Sequence, residues 1–195
     1  MKLNLGGGRG WRQDGWSNLE AALGYDLSEQ LLTPFPERSI HKIYTSHTLE
    51  HLSPPVCYRL LKDCARVMAT GAILRVVVPD CETHIRQFLN GENTFFIRNE
   101  RYFSSPAEQV SLMGGNPDGL ESPSCTGHFF FWDFFTLAWL LHMAGFCAIK
   151  RLAFGISDDP EFVEIARLDG DGMPVSGFDN PNTSHLSVYL EARKP

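Results

Sequence analysis

The sequence has no run of basic residues and no surplus of positive charge. Lysine and arginine number 17 against 23 aspartates and glutamates, so the 195-residue chain carries a formal net charge of −6. Proteins that bind nucleic acid through its phosphates present a basic face. The charge balance therefore argues against nucleic acid as a partner and favours a small molecule or a saccharide.

The cysteines show no pairing pattern. The five cysteines, Cys57, Cys64, Cys81, Cys125 and Cys147, include no C-x-x-C motif, and an odd number cannot all pair. This pattern indicates reduced thiols and a cytoplasmic protein rather than a disulfide-bonded one. The first residues also lack the apolar stretch of a signal peptide, so export is not expected.

No apolar run is clearly long enough for a membrane span. The longest candidate, residues 129–146, contains Asp133 and His142 and barely reaches the required length. We predict a helix buried in the core, so no membrane span is expected. Its surplus of phenylalanine and tryptophan would also suit a ligand pocket or the face of a homodimer.

Along the chain, segments with the hydrophobic pattern of a strand alternate with segments that have the pattern of a helix. Residues 54–68 place apolar side chains at helical spacing, and residues 72–78 form the apolar run of a strand buried on both faces. This alternation predicts one α/β domain, residues 1–195, with helices on both faces of a largely parallel sheet. Strands are predicted at 2–5, 16–20, 42–46, 72–78, 147–153 and 186–192, and helices at 54–68, 81–91 and within 129–146.

Two charged residues belong to the strand at 72–78 and its end. Arg75 interrupts the apolar run, and because a buried charge without a partner is costly, we predict an ion pair with an acidic residue. Asp80 follows the carboxyl end of the same strand, the edge where open α/β sheets bind ligands. It could orient or deprotonate a ligand there, or it could cap the next helix.

A glycine-rich turn directly follows the first predicted strand. Gly6, Gly8 and Gly10 form G-x-G-x-G, and glycine allows a sharp turn with backbone N–H groups open to a ligand. The dinucleotide fingerprint G-x-G-x-x-G needs a third glycine at position 11, where Trp11 stands. The motif therefore argues against a nicotinamide enzyme.

Two carboxylates follow the glycine turn. Glu20 ends the second predicted strand, and a carboxylate at that place can accept both hydrogens of a ribose diol. Asp26 stands six residues later in a turn-like setting, where it could accept from an adenine amino group. With the glycines, these two residues predict a nucleoside site.

These segments resemble the class I S-adenosylmethionine-dependent methyltransferases. The resemblance runs in family order over most of the chain, and the tail is similar to a subgroup of small bacterial predicted methyltransferases. The matching segments are LNLGGG at 3–8, GWSNLE at 15–20, YDL at 25–27, SHTLEHL at 46–52, RVMATG at 66–71, LRVVVPD at 74–80 and LSVYLEARK at 186–194.

The resemblance implies a Rossmann-like three-layer sandwich with a mostly parallel sheet and an antiparallel last strand. The stretch from Gly10 to Trp16 leaves no room for the family's usual first helix, so we expect that helix to be shortened. Two loop-rich inserts, 81–127 and 155–184, carry little of the resemblance. We expect them to form a cap over the site of the methyl acceptor.

The resemblance also implies S-adenosylmethionine as the cofactor. The glycine turn would pass under its methionine part, Glu20 would hold the ribose hydroxyls, and Asp26 would lie near the adenine. Ser46 and His47 would border the sulfonium and the acceptor. The expected cofactor-binding residues are Asn4, Gly6, Gly7, Gly8, Gly10, Glu20, Asp26, Leu27, Ser46 and His47.

The implied reaction is methyl transfer to an oxygen or nitrogen of a small molecule or saccharide. If the acceptor is a hydroxyl, a base is useful, and His47, Asp80 and His128 are the candidate catalytic residues. His128 precedes the aromatic helix, where the subgroup often has a histidine. No metal is expected.

Two alternative functions stay open. His47-Thr48-Leu49-Glu50-His51 spells the H-x-x-E-H signature of a zinc hydrolase, although a strand before it and two prolines after it leave room for only one or two helical turns. The other alternative is a non-catalytic protein that keeps the methyltransferase fold for binding or dimerisation, as the shortened first helix suggests.

Overall fold

The computed structural model describes residues 1–91, 96–98, 102–104, 128–165 and 186–195. Its strands are β1 (Lys2–Leu5), β2 (Trp16–Leu19), β3 (Ile40–Ser46), β4 (Met68–Pro79), β5 (Phe96–Arg98), β6 (Tyr102–Ser104), β7 (Cys147–Leu152) and β8 (Ser187–Arg193). Its helices are α1 (Pro54–Val67), α2 (Cys81–Leu89), α3 (Phe134–Ala144) and α4 (Pro160–Ile165), with 3-10 turns at Ala21–Leu23 and Leu49–His51.

Six of the strands form one mixed sheet in the order β2-β1-β3-β4-β8-β7. Strands β1 to β4 run parallel to one another, whereas β8 runs antiparallel to both of its neighbours. Strands β5 and β6 form a separate antiparallel pair. The predicted α/β class and the antiparallel last strand are therefore confirmed.

The two faces of the sheet are covered by different helices, because successive side chains of a strand point to opposite faces. We call face A the one on which Leu3, Leu74 and Leu190 join the main core with residues of α1 and α3. Face B carries Tyr44 and a smaller cluster that is completed by Phe162 of α4. The layers are helix, sheet and helix, as expected.

No helix connects β1 to β2, and every residue between these strands is described. Right-handed crossovers that leave β1 and β3 in opposite directions place their helices on opposite faces, so the connection from β1 to β2 belongs on face B. Trp11 is buried there, 3% exposed, and its ring lies 6.2 Å from that of Trp16. Trp16 in turn lies 5.9 Å from Phe162, so aromatic side chains occupy the position of the missing helix.

The helix predicted at 54–68 is followed by no loop, because α1 ends at Val67 and the chain passes directly into β4. Gly71 lies within that strand at a φ of +79°, where glycine is favoured. The aromatic helix is also not fully buried, since α3 leaves Phe135 74% exposed and Trp139 62% exposed.

The predicted cap lies mostly outside the described residues. Of the two inserts, the structure describes α2, α4 and the short strands β5 and β6 together with a few flanking residues. Within the described ranges, no helix is both long enough and apolar enough to span a membrane.

Candidate functional site

The order of the strands locates a crevice at one edge of the sheet. Strand β1 has β2 on one side and β3 on the other, so the chain leaves β1 and β3 in opposite directions. Open α/β sheets bind ligands at such a switch point, outside the carboxyl ends of the strands. Gly6 follows β1 here and His47 follows β3, so two of the predicted segments meet at this crevice.

The glycine turn fits tightly against the protein on one side. Gly6 donates its N–H to Leu19 O at 2.8 Å, and a Cβ added at Gly6 would lie 2.3 Å from Thr48 Oγ1. A Cβ at Gly7 would lie 1.9 Å from Asn4 Nδ2, whereas a Cβ at Gly8 or Gly10 would meet nothing within 4 Å. The first two glycines are therefore required by packing, and the last two leave the backbone accessible.

Side chains from the end of β2 hold this turn in place. Asn18 accepts a hydrogen bond from Gly7 N at 3.2 Å and donates one to Gly8 O at 2.8 Å. Glu20 Oε2 accepts from Gly8 N at 2.9 Å, and Glu20 Oε1 accepts from Ala22 N at 3.4 Å. A carboxylate has about four acceptor positions, so Glu20 keeps the capacity to bind a ribose diol.

Asp26 and Leu27 lie on the connection beyond Glu20. Asp26 is exposed, and its Oδ1 accepts hydrogen bonds from the backbone N and the hydroxyl of Ser28 at 2.8 and 2.6 Å. These hydrogen bonds lower the pKa of the Asp26 carboxyl below its usual value. Leu27 is buried, and its side chain belongs to the main core.

Asn4 lies beneath the glycine turn as a buried and unsatisfied amide. Its side chain is 1% exposed, and neither Oδ1 nor Nδ2 has a hydrogen-bond partner in the described part of the chain. Buried polar groups are normally paired, and an exception needs an explanation. Asn4 is thus one of the predicted residues that fits a ligand site.

The end of β3 carries a strained histidine. His47 has a φ of +49°, and strained backbone of this kind clusters at functional sites. Its Nδ1 lies 3.3 Å from Glu50 Oε1, and its Nε2 lies 3.4 Å from Ser187 Oγ. Half-buried Ser46 precedes it. Thr48 Oγ1 lies 3.1 Å from the carbonyl oxygens of both Leu5 and Ser46, so the ends of β1 and β3 are directly joined.

The structure brings His128 to the same place. One ligand-type atom each of Glu50, His51 and His128 lies within 4.8 Å of the others, and the rings of His51 and His128 are 4.8 Å apart. Burial lowers the pKa of His128 to about 4; the Glu50 carboxylate opposes this shift, and nearby histidines add to it. The predicted site residue His128 is therefore a neighbour of His51 rather than an isolated residue.

The helix that the zinc hydrolase signature requires is not formed. A helix would place His47 and His51 on one face, but the segment Leu49–His51 is a single 3-10 turn and His47 precedes it in the left-handed region. The two histidines are therefore not arranged on one face of a helix, as that signature requires.

Asp80 has a capping role in this structure. Its Oδ1 accepts from Glu82 N at 3.1 Å at the start of α2, and its Oδ2 accepts from Thr83 Oγ1 at 2.8 Å. Arg151 Nη2 also donates to Oδ2 at 2.8 Å. The capping alternative is thus confirmed, while a catalytic role for Asp80 stays a prediction.

Two residues near the site are not among those predicted from the sequence. Thr48 joins the end of β1 to the end of β3. This role becomes visible only in the folded structure, where the two strands lie side by side. His84 is the second of these residues: it is 5% exposed and packs edge-on against Phe131. Its position four residues after Asp80, on the same face of α2, is the signal that could have indicated its burial.

No protein-family model matches the chain, and no curated protein matches it. Several solved structures do match the chain. A methyltransferase dependent on S-adenosylmethionine from Mesorhizobium loti is 17% identical, with a TM-score of 0.53, over 98% of this chain and 90% of that one. Another from Archaeoglobus fulgidus is 17% identical, with a TM-score of 0.52, over 99% and 85%.

A phosphoethanolamine N-methyltransferase from Haemonchus contortus, solved with S-adenosylhomocysteine, is 12% identical with a TM-score of 0.50, over 100% of this chain and 49% of that one. At these identities the comparisons show the fold. The chain has the Rossmann-like fold of the class I S-adenosylmethionine-dependent methyltransferases.

Proposed function

We propose that this protein transfers a methyl group from S-adenosylmethionine to an oxygen or nitrogen of a small molecule or saccharide. The observation that carries the proposal is the glycine turn held by Asn18 and Glu20 at the switch point between β1 and β3. The methyltransferase fold supports it, and so does the acidic charge of the chain, which disfavours a nucleic-acid acceptor.

The residues at the crevice fit this cofactor. Gly8 and Gly10 leave open space over the backbone, which allows the methionine part to lie against it. Glu20 is half-buried at the end of β2, and its remaining acceptor positions suit the two ribose hydroxyls. Asp26 is exposed further along the same connection and would face the adenine amino group.

The work left to the protein is mainly positioning. When bound, S-adenosylmethionine supplies a methyl group that its sulfonium already activates. Ser46 and His47 at the end of β3 would border the acceptor and hold it in line with that methyl group. For a hydroxyl acceptor, His47 is the best placed of the three predicted bases. Asp80 is engaged in capping and in its pair with Arg151, and His128 packs against His51.

Binding of S-adenosylhomocysteine, measured by calorimetry, tests the proposal. Wild-type protein is expected to bind it, and Glu20→Gln is expected to weaken binding by about tenfold to a hundredfold because a hydrogen bond to a charged group is lost. Asp26→Ala should also weaken it. Glu37→Ala changes an exposed carboxylate that is not among the predicted cofactor-binding residues, and it serves as the control. Absence of binding by folded wild-type protein would reject the proposal.

A non-catalytic protein with this fold is the second candidate. The observation that favours it is the absence of a helix between β1 and β2, where the aromatic cluster of Trp11, Trp16 and Phe162 stands instead. Cofactor binding without release of S-adenosylhomocysteine across acceptors bearing hydroxyl and amino groups would support this candidate.

Location and assembly are further parts of the proposal. Reduced cysteines are consistent with the cytoplasm, and Cys57 and Cys64 are free and buried. The exposed aromatic side chains of α3, including Phe135 and Trp139, would suit a homodimer contact. Sedimentation of wild-type protein beside Trp139→Ser tests the dimer.

A further inference from the structure

Glu50 is a buried carboxylate in an unusual environment. The side chain is 1% exposed, and neither oxygen has a hydrogen-bond partner among the described residues. His47 Nδ1 comes within 3.3 Å of Oε1, and His51 Nε2 within 4.0 Å. A buried carboxylate is costly unless hydrogen bonds or a cation compensate its charge. In the described part of the chain, the potential cations within 4.0 Å of this carboxylate are the imidazole rings of His47 and His51.

We propose that Glu50, His51 and His128 bind a zinc ion. Two imidazole nitrogens and one carboxylate oxygen are a donor set that zinc takes in proteins with an exchangeable position. Nitrogen donors select a transition metal over magnesium or calcium, which prefer oxygen. None of these three residues belongs to the glycine turn, so the ion would not depend on the cofactor.

The three donor atoms lie close to one another, although slightly further apart than the ligands of a bound ion. Zinc lies about 2.0 to 2.2 Å from nitrogen and oxygen ligands in a tetrahedral arrangement, so its ligand atoms are about 3.3 to 3.6 Å from one another. Glu50 Oε1 and His51 Nε2 are 4.0 Å apart, and the whole set lies within 4.8 Å. Binding of an ion would therefore draw the three side chains together by about 1 Å.

The backbone already holds the three ligands together. Glu50 and His51 are consecutive residues of the 3-10 turn Leu49–His51. The carbonyl oxygen of Glu50 accepts hydrogen bonds from Phe129 N at 2.7 Å and Phe130 N at 3.3 Å. The segment that carries His128 is thus attached to the residue that supplies the carboxylate. Because the backbone is held in this way, binding of an ion would mainly require movement of the side chains.

The neighbours of the ligands also fit a metal site. His47 Nδ1 is close enough to Glu50 Oε1 to orient the carboxylate, as groups behind metal ligands commonly do. The ring of Phe131 packs 5.1 Å from that of His128. His51 is 33% exposed, so one side of the ion would face the crevice at the end of β3 and could receive an oxygen of a bound molecule.

This arrangement differs from that of the H-x-x-E-H hydrolases. In those enzymes both histidines of the motif are ligands and the glutamate is the base. Here Glu50 would itself be a ligand, His47 would be a positioning residue, and the third ligand would come from His128, far away in the sequence.

Metal binding by the full-length, chelator-stripped protein tests the inference. All proteins carry Cys147→Ser, because this exposed thiol could bind zinc on its own. Calorimetry with zinc chloride and absorption spectroscopy with cobalt are the two readouts. We expect one ion per chain and a cobalt spectrum typical of nitrogen and oxygen ligands without thiolate bands.

Variants then identify the ligands. Glu50→Gln, His51→Ala and His128→Ala should each weaken zinc binding at least tenfold, and His47→Ala should weaken it by about 10-fold to 100-fold. His142→Ala, a change at an exposed histidine at the end of α3, is the control and should bind as the parent does. Circular dichroism confirms that each variant is folded.

Two outcomes would overturn the inference. One is absence of zinc and cobalt binding by the folded parent protein, which decides the question even if a variant fails to fold. The other is binding that the three ligand variants leave unchanged. Neither outcome bears on binding of S-adenosylhomocysteine, so the methyl-transfer proposal would fail or stand separately.

Discussion

Arg75 of β4 and Glu191 of β8 are direct partners across the antiparallel strand pair, and their side chains form a buried ion pair of 2.6 Å between Nη1 and Oε1. Ser157 Oγ donates to the same Glu191 oxygen at 2.5 Å. Arg75 also donates to the carbonyl oxygen of Ile156 at 2.9 Å. This ion pair joins the centre of the sheet to the chain that precedes α4. Glu191 is the acidic partner that the sequence predicts for Arg75.

Removal of one member of this pair should be strongly destabilising. Arg75→Met leaves Glu191 buried without its cation, and we expect the free energy of unfolding to fall by about 3 to 5 kcal/mol. The double variant Arg75→Met with Glu191→Leu replaces both charges and should recover a large part of the loss. Urea unfolding measures both. A double variant that is as unstable as the sum of the two single variants would contradict this prediction.

The glycine turn offers a pair of matched substitutions. Gly7→Ala places a Cβ 1.9 Å from Asn4 Nδ2, so the turn or the asparagine must move, and we expect a loss of about 1 to 3 kcal/mol of stability. Gly10→Ala meets nothing within 4 Å and should change stability by less than about 0.5 kcal/mol. Thermal unfolding of the two variants measures this difference.

The sequence predicted the elements whose pattern is local. The apolar run at 72–78 became the centre of β4, and the helical spacing at 54–68 became α1. The glycine turn and Glu20 were found because a strand, a turn and a second strand follow one another closely in the chain. Such features need no knowledge of distant contacts.

The parts that could not be predicted depend on contacts between distant segments. The packing of His128 against His51 requires the chain before α3 to lie along the turn at Glu50. Gly71 fits a helix end as well as it fits an irregular strand, and only pairing with β8 decides between them. The exposure of Trp139 could not be inferred either, because a helix that is apolar on all sides has no polar face to indicate which side meets the solvent.

The cysteines should differ sharply in reactivity. Burial is the main cause that raises the pKa of the Cys57 thiol to about 12, and it also raises the pKa of Cys64. Because the thiolate is the reactive form, we expect both to resist iodoacetamide at pH 8 in folded protein. Exposed Cys147 should be alkylated first, as peptide mass spectrometry would show. Equal labelling of Cys57 and Cys147 before unfolding would contradict this.

A cluster of lysines and acids on face B should make stability depend on pH. Lys42 Nζ lies 2.7 Å from the Asp159 carboxylate and 2.9 Å from Glu161 Oε2, and Lys2 Nζ lies 3.1 Å from Glu161 Oε2. Hydrogen bonds from Lys42 and then from Lys2 lower the pKa of Glu161. Burial alone would lower the pKa of Lys42, but hydrogen bonds to Asp159 and Glu161 raise it.

The signs of these shifts define the expected pH window. A lowered carboxyl pKa stabilises the fold above the ordinary value of 4.5, and this contribution is lost as the pH falls through the lowered value. The raised pKa of Lys42 stabilises the fold up to its ordinary value of 10.5, and this contribution is lost as the pH rises through the raised value. The ion pair between Lys42 and Glu161 should therefore stabilise the fold most between these two pH limits.

Lys42→Met tests that window directly. Because Glu161 is partly exposed and screened by solvent, we expect a loss of about 1 kcal/mol or less at pH 7. The difference from wild type should shrink as the pH falls below the lowered pKa of Glu161, since the protonated carboxyl no longer attracts the lysine. Lys62→Met, at an exposed lysine of α1, is the control. A difference between wild type and Lys42→Met that stays constant from pH 7 to strongly acidic solution would show that Lys42 stabilises the fold by packing of its alkyl chain rather than by charge.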